Sequence, residues 1–250
     1  MNFRCLLFCA LASAGIVPAA LAQQSITSYL GYTTENFNST ISTGTTTTLP
    51  GGWVVDPAGT TVTAGNGSSS TDGYYLYGAT SSTERALGSL TAGGTDRNIG
   101  VYFQNNTGQT ITQLSISYTG EQWRGGSGTD KLIFSYNTAP TGNSLISGTW
   151  TAVTALDFAA PNTATGALDG NVSPNFTRIS AVITGLSIAN NGTFTLRWRD
   201  TKASQAEDGM GIDDFAIAVP EPATVGAGVF VGAMVTAGWY RQRRTRRAGG

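Results

Sequence analysis

The 250-residue chain contains no histidine and only two cysteines, Cys5 and Cys9, both close to its N-terminus. The rest of the chain can therefore form no disulfide framework, thiolate nucleophile, Cys/His zinc site or Ser-His-Asp triad. Its stability must come from packing and hydrogen bonding alone. The chemistry left to it is that of carboxylates, hydroxyls, amides and aromatic rings.

Basic residues are also scarce, and many of them are at the ends of the chain. Of the 14 Lys and Arg, six lie at the ends (Arg4 and five arginines after residue 240), whereas only Glu221 of the 15 Asp and Glu does. Residues 23–218 are left with 8 basic and 14 acidic side chains, a net charge of −6. This stretch contains no basic run, so we expect no nucleic-acid partner.

Residues 1–22 have the three parts of a secretory signal peptide. Arg4 supplies the positive charge, Cys5 to Val17 the apolar stretch, and Ala20-Leu21-Ala22 the small-residue cleavage site. Cleavage would leave Gln23 as the new N-terminus. We therefore expect the secretion machinery to export the chain.

Residues 219–247 contain three elements in a fixed order. Val219-Pro220-Glu221-Pro222 precedes an uncharged, mostly apolar run of 18 residues from Ala223 to Tyr240. A basic cluster follows, made of Arg241, Arg243, Arg244, Arg246 and Arg247. At helical rise such a run spans about 27 Å, enough for the hydrocarbon core of a bilayer. The pattern predicts a single transmembrane helix with the arginines on the cytoplasmic side.

This order of elements resembles the PEP-CTERM protein-sorting signal of exopolysaccharide-producing Gram-negative bacteria. The resemblance implies that the tail holds the chain in the inner membrane for a time, and that an exosortase, a membrane transpeptidase, processes it near the motif. The body would then reach the cell envelope or the extracellular polysaccharide. The alternative is an ordinary C-terminal anchor that follows a chance Pro-Glu-Pro sequence.

Apolar and polar residues alternate repeatedly between residues 23 and 218, a pattern typical of strands with one face in a core. The clearest runs are Ile99-Val101-Phe103, Leu114-Ile116-Tyr118, Leu132-Phe134-Tyr136 and Phe194-Leu196-Trp198. Further strands are predicted at Trp53–Asp56, Tyr74–Gly78, Trp150–Phe158, Ile179–Leu186 and Ile212–Val219. Turns rich in Gly and Asn separate them. The pattern predicts one all-β domain, a β-sandwich of jelly-roll type.

Several motifs in the second half of this stretch are similar to a jelly-roll module that is common in secreted proteins of environmental bacteria. They include Tyr118–Arg124 (YTGEQWR), Leu168–Asn171 (LDGN) and Gly209–Phe215 (GMGIDDF). The resemblance covers about Tyr118 to Val219. It implies the fold, and it transfers no activity.

The densest acidic cluster surrounds the start of the last predicted strand and contains Asp200, Glu207, Asp208, Asp213 and Asp214. Oxygen-rich loops of this kind bind calcium in extracellular modules. The cluster predicts a structural Ca²⁺ held by Asp208 and by Asp213 or Asp214, with Asp130 as a further ligand. The alternative is a solvated turn in which an aspartate caps backbone amides or pairs with an arginine, because no EF-hand spacing is present.

Aromatic side chains raise a second alternative for the body, namely glycan binding. The candidates for a stacking surface are Tyr74, Tyr75 and Trp123. Tyr74 and Tyr75 are adjacent on a strand, so their side chains point to opposite faces and one of them must point away from the core. Most of the aromatic residues should nevertheless lie in the core.

Glu121 is the best single candidate for a glycosidase carboxylate, because alternation places it on the solvent side of its strand. A glycosidase needs a second carboxylate across a cleft, and no spacing in the sequence ties one to Glu121. A cross-strand pair with an arginine is the simpler interpretation. We therefore expect a surface or matrix-associated structural protein without catalytic activity. A glycan-binding or adhesin module is the main alternative, and a glycosidase is a weaker one.

Overall fold

The computed structural model describes residues 22–128, 130–142, 144–202 and 207–221. These residues form sixteen strands and one 3-10 helix, Thr154–Leu156. In chain order the strands are β1 (Gln24–Ile26), β2 (Tyr32–Glu35), β3 (Thr45–Thr46), β4 (Trp53–Asp56), β5 (Val62–Gly65), β6 (Gly73–Tyr77), β7 (Ala86–Leu90), β8 (Arg97–Asn105), β9 (Ile111–Gly125), β10 (Lys131–Asn137), β11 (Thr151–Ala152), β12 (Phe158–Ala159), β13 (Gly166–Ala167), β14 (Phe176–Ile188), β15 (Thr193–Asp200) and β16 (Gly209–Ala218). Within these stretches no helix has the length and apolar character that crossing a membrane requires.

The strands form two sheets. Sheet A has seven strands in the order β1-β8-β15-β10-β11, with β4 also paired to β8 and β12 also paired to β10. Sheet B has nine strands in the order β13-β9-β16-β7-β6-β5-β3, with β14 also paired to β9 and β2 also paired to β16. The predicted all-β sandwich is therefore confirmed at the level of two sheets around one core.

The core between the sheets is built around Trp198 of β15, which is completely buried. Its indole stacks on Trp53 of β4 with ring centroids 5.7 Å apart. It also meets Tyr118, Phe134 and Phe215 edge to face, at centroid distances of 5.5, 5.2 and 5.8 Å. These rings come from both sheets, so the aromatic cluster joins the two layers.

Alternation in the sequence identifies the core side of the long strands correctly. Ile99, Val101 and Phe103 on β8 are at most 1% exposed, and so are the inward residues of β15. The opposite faces, however, are not turned to water as alternation alone predicts. Tyr102 on β8 is 2% exposed and Glu121 on β9 is 3% exposed, because further segments of the chain lie over the outer faces of both sheets.

The predicted strand Trp150–Phe158 is wrong as a single element. The chain there makes the short strand β11 against one end of β10, turns through the 3-10 helix, and then continues in the same direction as β12 against the other end of β10. Leu156 and Phe158 are buried in the core by this excursion. The segment therefore does contain buried apolar residues, but a turn interrupts its backbone pairing with β10.

Candidate functional site

Three carboxylates meet on the outer face of sheet B. Glu121 of β9, Asp213 of β16 and Glu84, which precedes β7, each offer an oxygen atom within 4.8 Å of the other two. Glu121 and Asp213 are 3% and 0% exposed, and Glu84 is half-buried. We call these three residues the carboxylate cluster.

A bulge in β16 puts Asp213 in this position. The pairing of β16 with β9 shifts register between Asp213 and Ala216, and Asp214 has a positive φ of 49°. Ile212 and Phe215 both enter the core, although a regular strand would send residues three apart to opposite faces. The bulge absorbs the extra residue, so Asp213 points away from the core and Asp214 is exposed.

Neighbouring side chains hold the other two carboxylates. Trp123 Nε1 donates a hydrogen bond of 2.9 Å to Glu121 Oε2, and Asn171 Nδ2 donates to Glu84 Oε2. Asn171 belongs to the LDGN motif, Glu121 to YTGEQWR and Asp213 to GIDDF. Three separate motifs of the sequence therefore converge on one place.

Ionisation of all three carboxylates in the cluster is electrostatically unfavourable. Burial raises the pKa of Asp213 well above its usual range, and the charges of Asp214 and Glu121 raise it further. Like charges at this distance are tolerated when a proton or a cation neutralises them. Carboxylate oxygens are the ligands that Ca²⁺ prefers, so the cluster has the right donor atoms for such an ion.

The three residues predicted to bind calcium are not all brought together. Among the described residues, the group with three carboxylates in ligand range contains Asp213 but neither Asp208 nor Asp214. Asp208 Oδ1 instead accepts a hydrogen bond of 2.6 Å from Gly126 N, and Asp214 is exposed at the bulge. Glu84 replaces them, although nothing in the sequence around it pointed to this role.

Asp208 belongs to a second acidic group with Asp130, Asp200 and Glu207. Asp200 is fully buried, and its carboxylate accepts hydrogen bonds from Ser89 Oγ at 2.8 Å and Thr91 Oγ1 at 3.4 Å. Burial raises the pKa of Asp200 to about 7, and the charge of Glu207 contributes. Burial and a hydrogen bond with Glu207 also raise the pKa of Asp130.

The prediction of a glycan-stacking surface on Tyr74, Tyr75 and Trp123 is wrong. These residues are only 1, 5 and 1% exposed. Tyr75, Tyr77 and Trp123 stack on one another in a second apolar cluster outside the main core, with centroids 5.0 and 6.2 Å apart. Adjacent tyrosines do point to opposite faces, but the outer face is covered as well.

A different indole remains partly exposed on the other sheet. The guanidinium carbon of Arg197 lies 4.0 Å from the ring centroid of Trp150, and Trp150 Nε1 donates to Ser147 O at 2.9 Å. Burial, with a smaller contribution from the charge of Arg199, lowers the pKa of Arg197 to about 10. The arginine fixes the position of the ring by a cation–π contact.

Residues 138–142 and 144–149, which we call the strap, explain why the outer face of sheet A is covered. Leu145 is fully buried, and a Cβ added to Gly100 of β8 would lie 2.6 Å from its Cδ2 atom. Asp56 Oδ2 accepts hydrogen bonds from Ser144 Oγ and from Leu145 N, while Arg197 Nη1 donates to Leu145 O at 2.7 Å. The strap is thus fastened to β4 and β15, and it shields this face from solvent.

The sandwich reaches into the predicted sorting motif. Val219 and Pro220 are buried, and Leu30 N donates a hydrogen bond of 3.0 Å to Val219 O. Glu221 is exposed, although its carbonyl oxygen accepts a 2.8 Å hydrogen bond from Gln113 Nε2. Pro222, the apolar run 223–240 and the arginines lie outside the described residues, as does Ala20; Ala22 and Gln23 are exposed.

Comparisons with known proteins give structural neighbours only. No protein-family model matches the chain, and no curated protein matches it. The xylan-binding domain CBM22-1 of Paenibacillus barcinonensis Xyn10C is 11% identical with a TM-score of 0.40, over 79% of this chain and 99% of that one. The N-terminal cellulose-binding domain of Cellulomonas fimi β-1,4-glucanase C is 17% identical with a TM-score of 0.35, over 73% and 95%. The K2 adhesin domain of Lys-gingipain is 13% identical with a TM-score of 0.36, over 75% and 97%.

Proposed function

We propose that the protein is an exported, non-catalytic β-sandwich of jelly-roll type that an exosortase sorts to the cell envelope or the extracellular matrix. The observation that carries this proposal is the position of the predicted motif directly after β16, the last described strand. The last strand, β16, passes directly into Val219 and Pro220, and the chain becomes exposed at Glu221. A folded body thus leads without a linker into the segment that the processing enzyme would recognise.

The absence of catalysis is part of the proposal, and the burial of the carboxylates supports it. Glu121 lies close to two other carboxylates, as a glycosidase would require. However, Glu121 and Asp213 are almost completely buried, and Trp123 holds one oxygen of Glu121. A glycosidase pair must flank a cleft that admits a sugar ring. The cluster is better suited to a proton or an ion.

Fractionation of the native host into inner membrane, envelope and medium tests the sorting proposal. The double variant Glu221→Ala/Pro222→Ala should accumulate in the inner membrane, whereas the wild-type body should leave it. A chain without residues 223–250 serves as the control, because it should be exported without being held. If the double variant leaves the inner membrane as the wild type does, the motif is not recognised; if both stay there, the tail is an ordinary anchor.

Glycan binding is the second candidate function, and Trp150 is the observation that favours it. Its partly exposed indole is held against Arg197 at 4.0 Å, and rigid aromatic rings of this kind can stack on sugars. Affinity electrophoresis in gels that contain the host's exopolysaccharide tests this function. Trp150→Ala should abolish retardation, while Tyr32→Ala, which changes a residue 45% exposed on β2, should not. If the wild type is not retarded, this candidate fails.

A structural cation at the carboxylate cluster is proposed as part of the same account. Glu84, Glu121 and Asp213 supply three oxygen ligands from the connection before β7 and from strands β9 and β16, so an ion there would tie the three segments together. This site keeps Asp213 from the predicted set of Asp208, Asp213 and Asp214, and has Glu84 and Glu121 in place of the other two. Its measurable consequence is a rise in stability when calcium is added.

A further inference from the structure

Among the described residues, strand β14 has a long edge without a pairing strand. Its residues Phe176–Thr184 pair one to one with Glu121–Gln113 of β9. On the opposite side of β14, no other strand of the described residues is hydrogen-bonded to it. Within the part of the chain that the structure describes, the remaining sheet edges are formed by much shorter strands: β3, β11, β12 and β13 have two residues each, β1 has three, and β2 and β4 have four each.

This edge also has few of the features that prevent strands from joining. Natural edge strands are usually short, or are protected by lysines, prolines or bulges. Phe176–Thr184 contains no proline and a single charge, Arg178, whose guanidinium lies over the ring of Phe176 on the same strand. The only irregularity, at Gly185 with φ of 73°, comes after the regular stretch has ended.

We propose that a second copy of this chain pairs with β14, so that the two sheets B join across a two-fold axis. The pairing is antiparallel and is centred on Ser180. Nine residues of each strand then overlap, over about 30 Å, and β14 gains roughly one backbone hydrogen bond per residue. An isologous contact of this kind closes on itself and gives a dimer.

The sequence of the edge is complementary to itself in this register. Ser180 faces its own copy, Ile179 faces Ala181, and Arg178 faces Val182, which is 52% exposed. No arginine is set against another arginine, a placement that would be unfavourable across a sheet. The exposed face of Val182 would also be partly covered by the aliphatic part of the partner's Arg178.

Disulfide trapping tests the register. In the dimer, Ser180→Cys would place two thiols directly opposite each other, within reach of a disulfide. Thr177→Cys is the matched control, because its two copies would lie about 20 Å apart. Both residues are exposed on the same strand. The full-length chain, extracted in mild detergent and gently oxidised, should form at least about five times more dimer with Ser180→Cys than with Thr177→Cys.

Wild-type protein oxidised under the same conditions shows how much cross-linked dimer Cys5 and Cys9 produce by themselves. Equal cross-linking of the two variants, or none, would overturn the proposal.

Charge substitutions at Val182 provide a second, independent test in the Ser180→Cys background. Val182→Lys would oppose the partner's Arg178 with a like charge and should lower the cross-linked fraction by about 3-fold to 10-fold. Val182→Glu would oppose the same arginine with an unlike charge and should maintain or raise it. Because Val182 is exposed, both variants should fold alike. If lysine and glutamate lower the dimer equally, β14 does not pair in this register.

Discussion

The indole of Trp123 donates a 2.9 Å hydrogen bond to the carboxylate of Glu121, two residues earlier on the same strand. The same indole stacks on Tyr77 with centroids 6.2 Å apart. Trp123 therefore links the second apolar cluster on the outer face of sheet B to the carboxylate cluster beside it. The position of Glu121 depends on how this ring packs.

Trp123→Phe should destabilise the body, because phenylalanine preserves the stacked ring but removes the indole N–H. A hydrogen bond to a buried charged group contributes about 1.5–3 kcal/mol to the free energy of unfolding, which urea titration measures. Trp150→Phe is the matched control, since its N–H meets only the carbonyl of Ser147 at a partly exposed site. That change should cost about 1 kcal/mol or less. Equal losses would show that the bond to Glu121 is unimportant.

Calcium should raise the melting temperature at pH 8 by about 5–10 °C when it is present at 100 times its dissociation constant. In chelator, stability should instead fall as the pH rises above the usual carboxyl range. The reason is that Asp213, with its raised pKa, keeps its proton in the fold and loses it on unfolding.

Asp213→Asn should abolish the calcium response and reduce the loss of stability at high pH to the part that Asp200 contributes, whereas Asp208→Asn should keep the calcium response. A calcium shift that survives Asp213→Asn but disappears with Asp208→Asn would locate the ion in the other acidic group.

Asp200 should make its own contribution to the pH dependence. Its pKa is raised to about 7, so the folded state binds a proton that the unfolded chain releases near pH 4. The stability associated with that proton is fully present at low pH and is lost as the pH rises to about 7, by roughly 2–4 kcal/mol. Asp200→Asn should flatten this part of the curve, and Asp169→Asn, at an exposed site, should not. Parallel curves for Asp200→Asn and wild type would contradict the assignment.

Gly120→Ala tests the packing between β9 and β12. A Cβ at this position would lie 2.3 Å from the ring of Phe158, which is itself fully buried. Overpacking of this kind costs about 1–3 kcal/mol, visible as a lower midpoint in urea. Gly51→Ala is the control, because no atom lies within 4 Å of the corresponding Cβ. A neutral Gly120→Ala would mean that β12 is not held against this strand.

The sequence predicts the core residues well, because apolar and polar residues alternate along a strand according to which of its sides is buried. Strand β4 has the predicted bounds Trp53–Asp56, and the inward residues of β8 and β15 are all in the core. Alternation could not show that the outer faces are covered too. The strap over sheet A and the stacked ring of Tyr75 depend on loops whose course is set by tertiary contacts.

The site was only partly predictable for a related reason. Motifs in the sequence drew attention to Glu121, Asn171 and Asp213, but not to their meeting point. That meeting depends on the bulge after Asp213, which breaks the simple period of two. Glu84 lies in a connection before β7, where no periodic pattern exists to mark it.

Intact-mass analysis of the protein recovered from membrane, envelope and medium of its native host tests the central claim most directly. We predict a species that begins at Gln23, ends at Glu221 or a few residues beyond it, and lies outside the inner membrane. The end falls there because Val219 and Pro220 are buried in the fold, whereas Glu221 is exposed. A species that retains Arg247 and occurs only in the inner membrane would contradict the account.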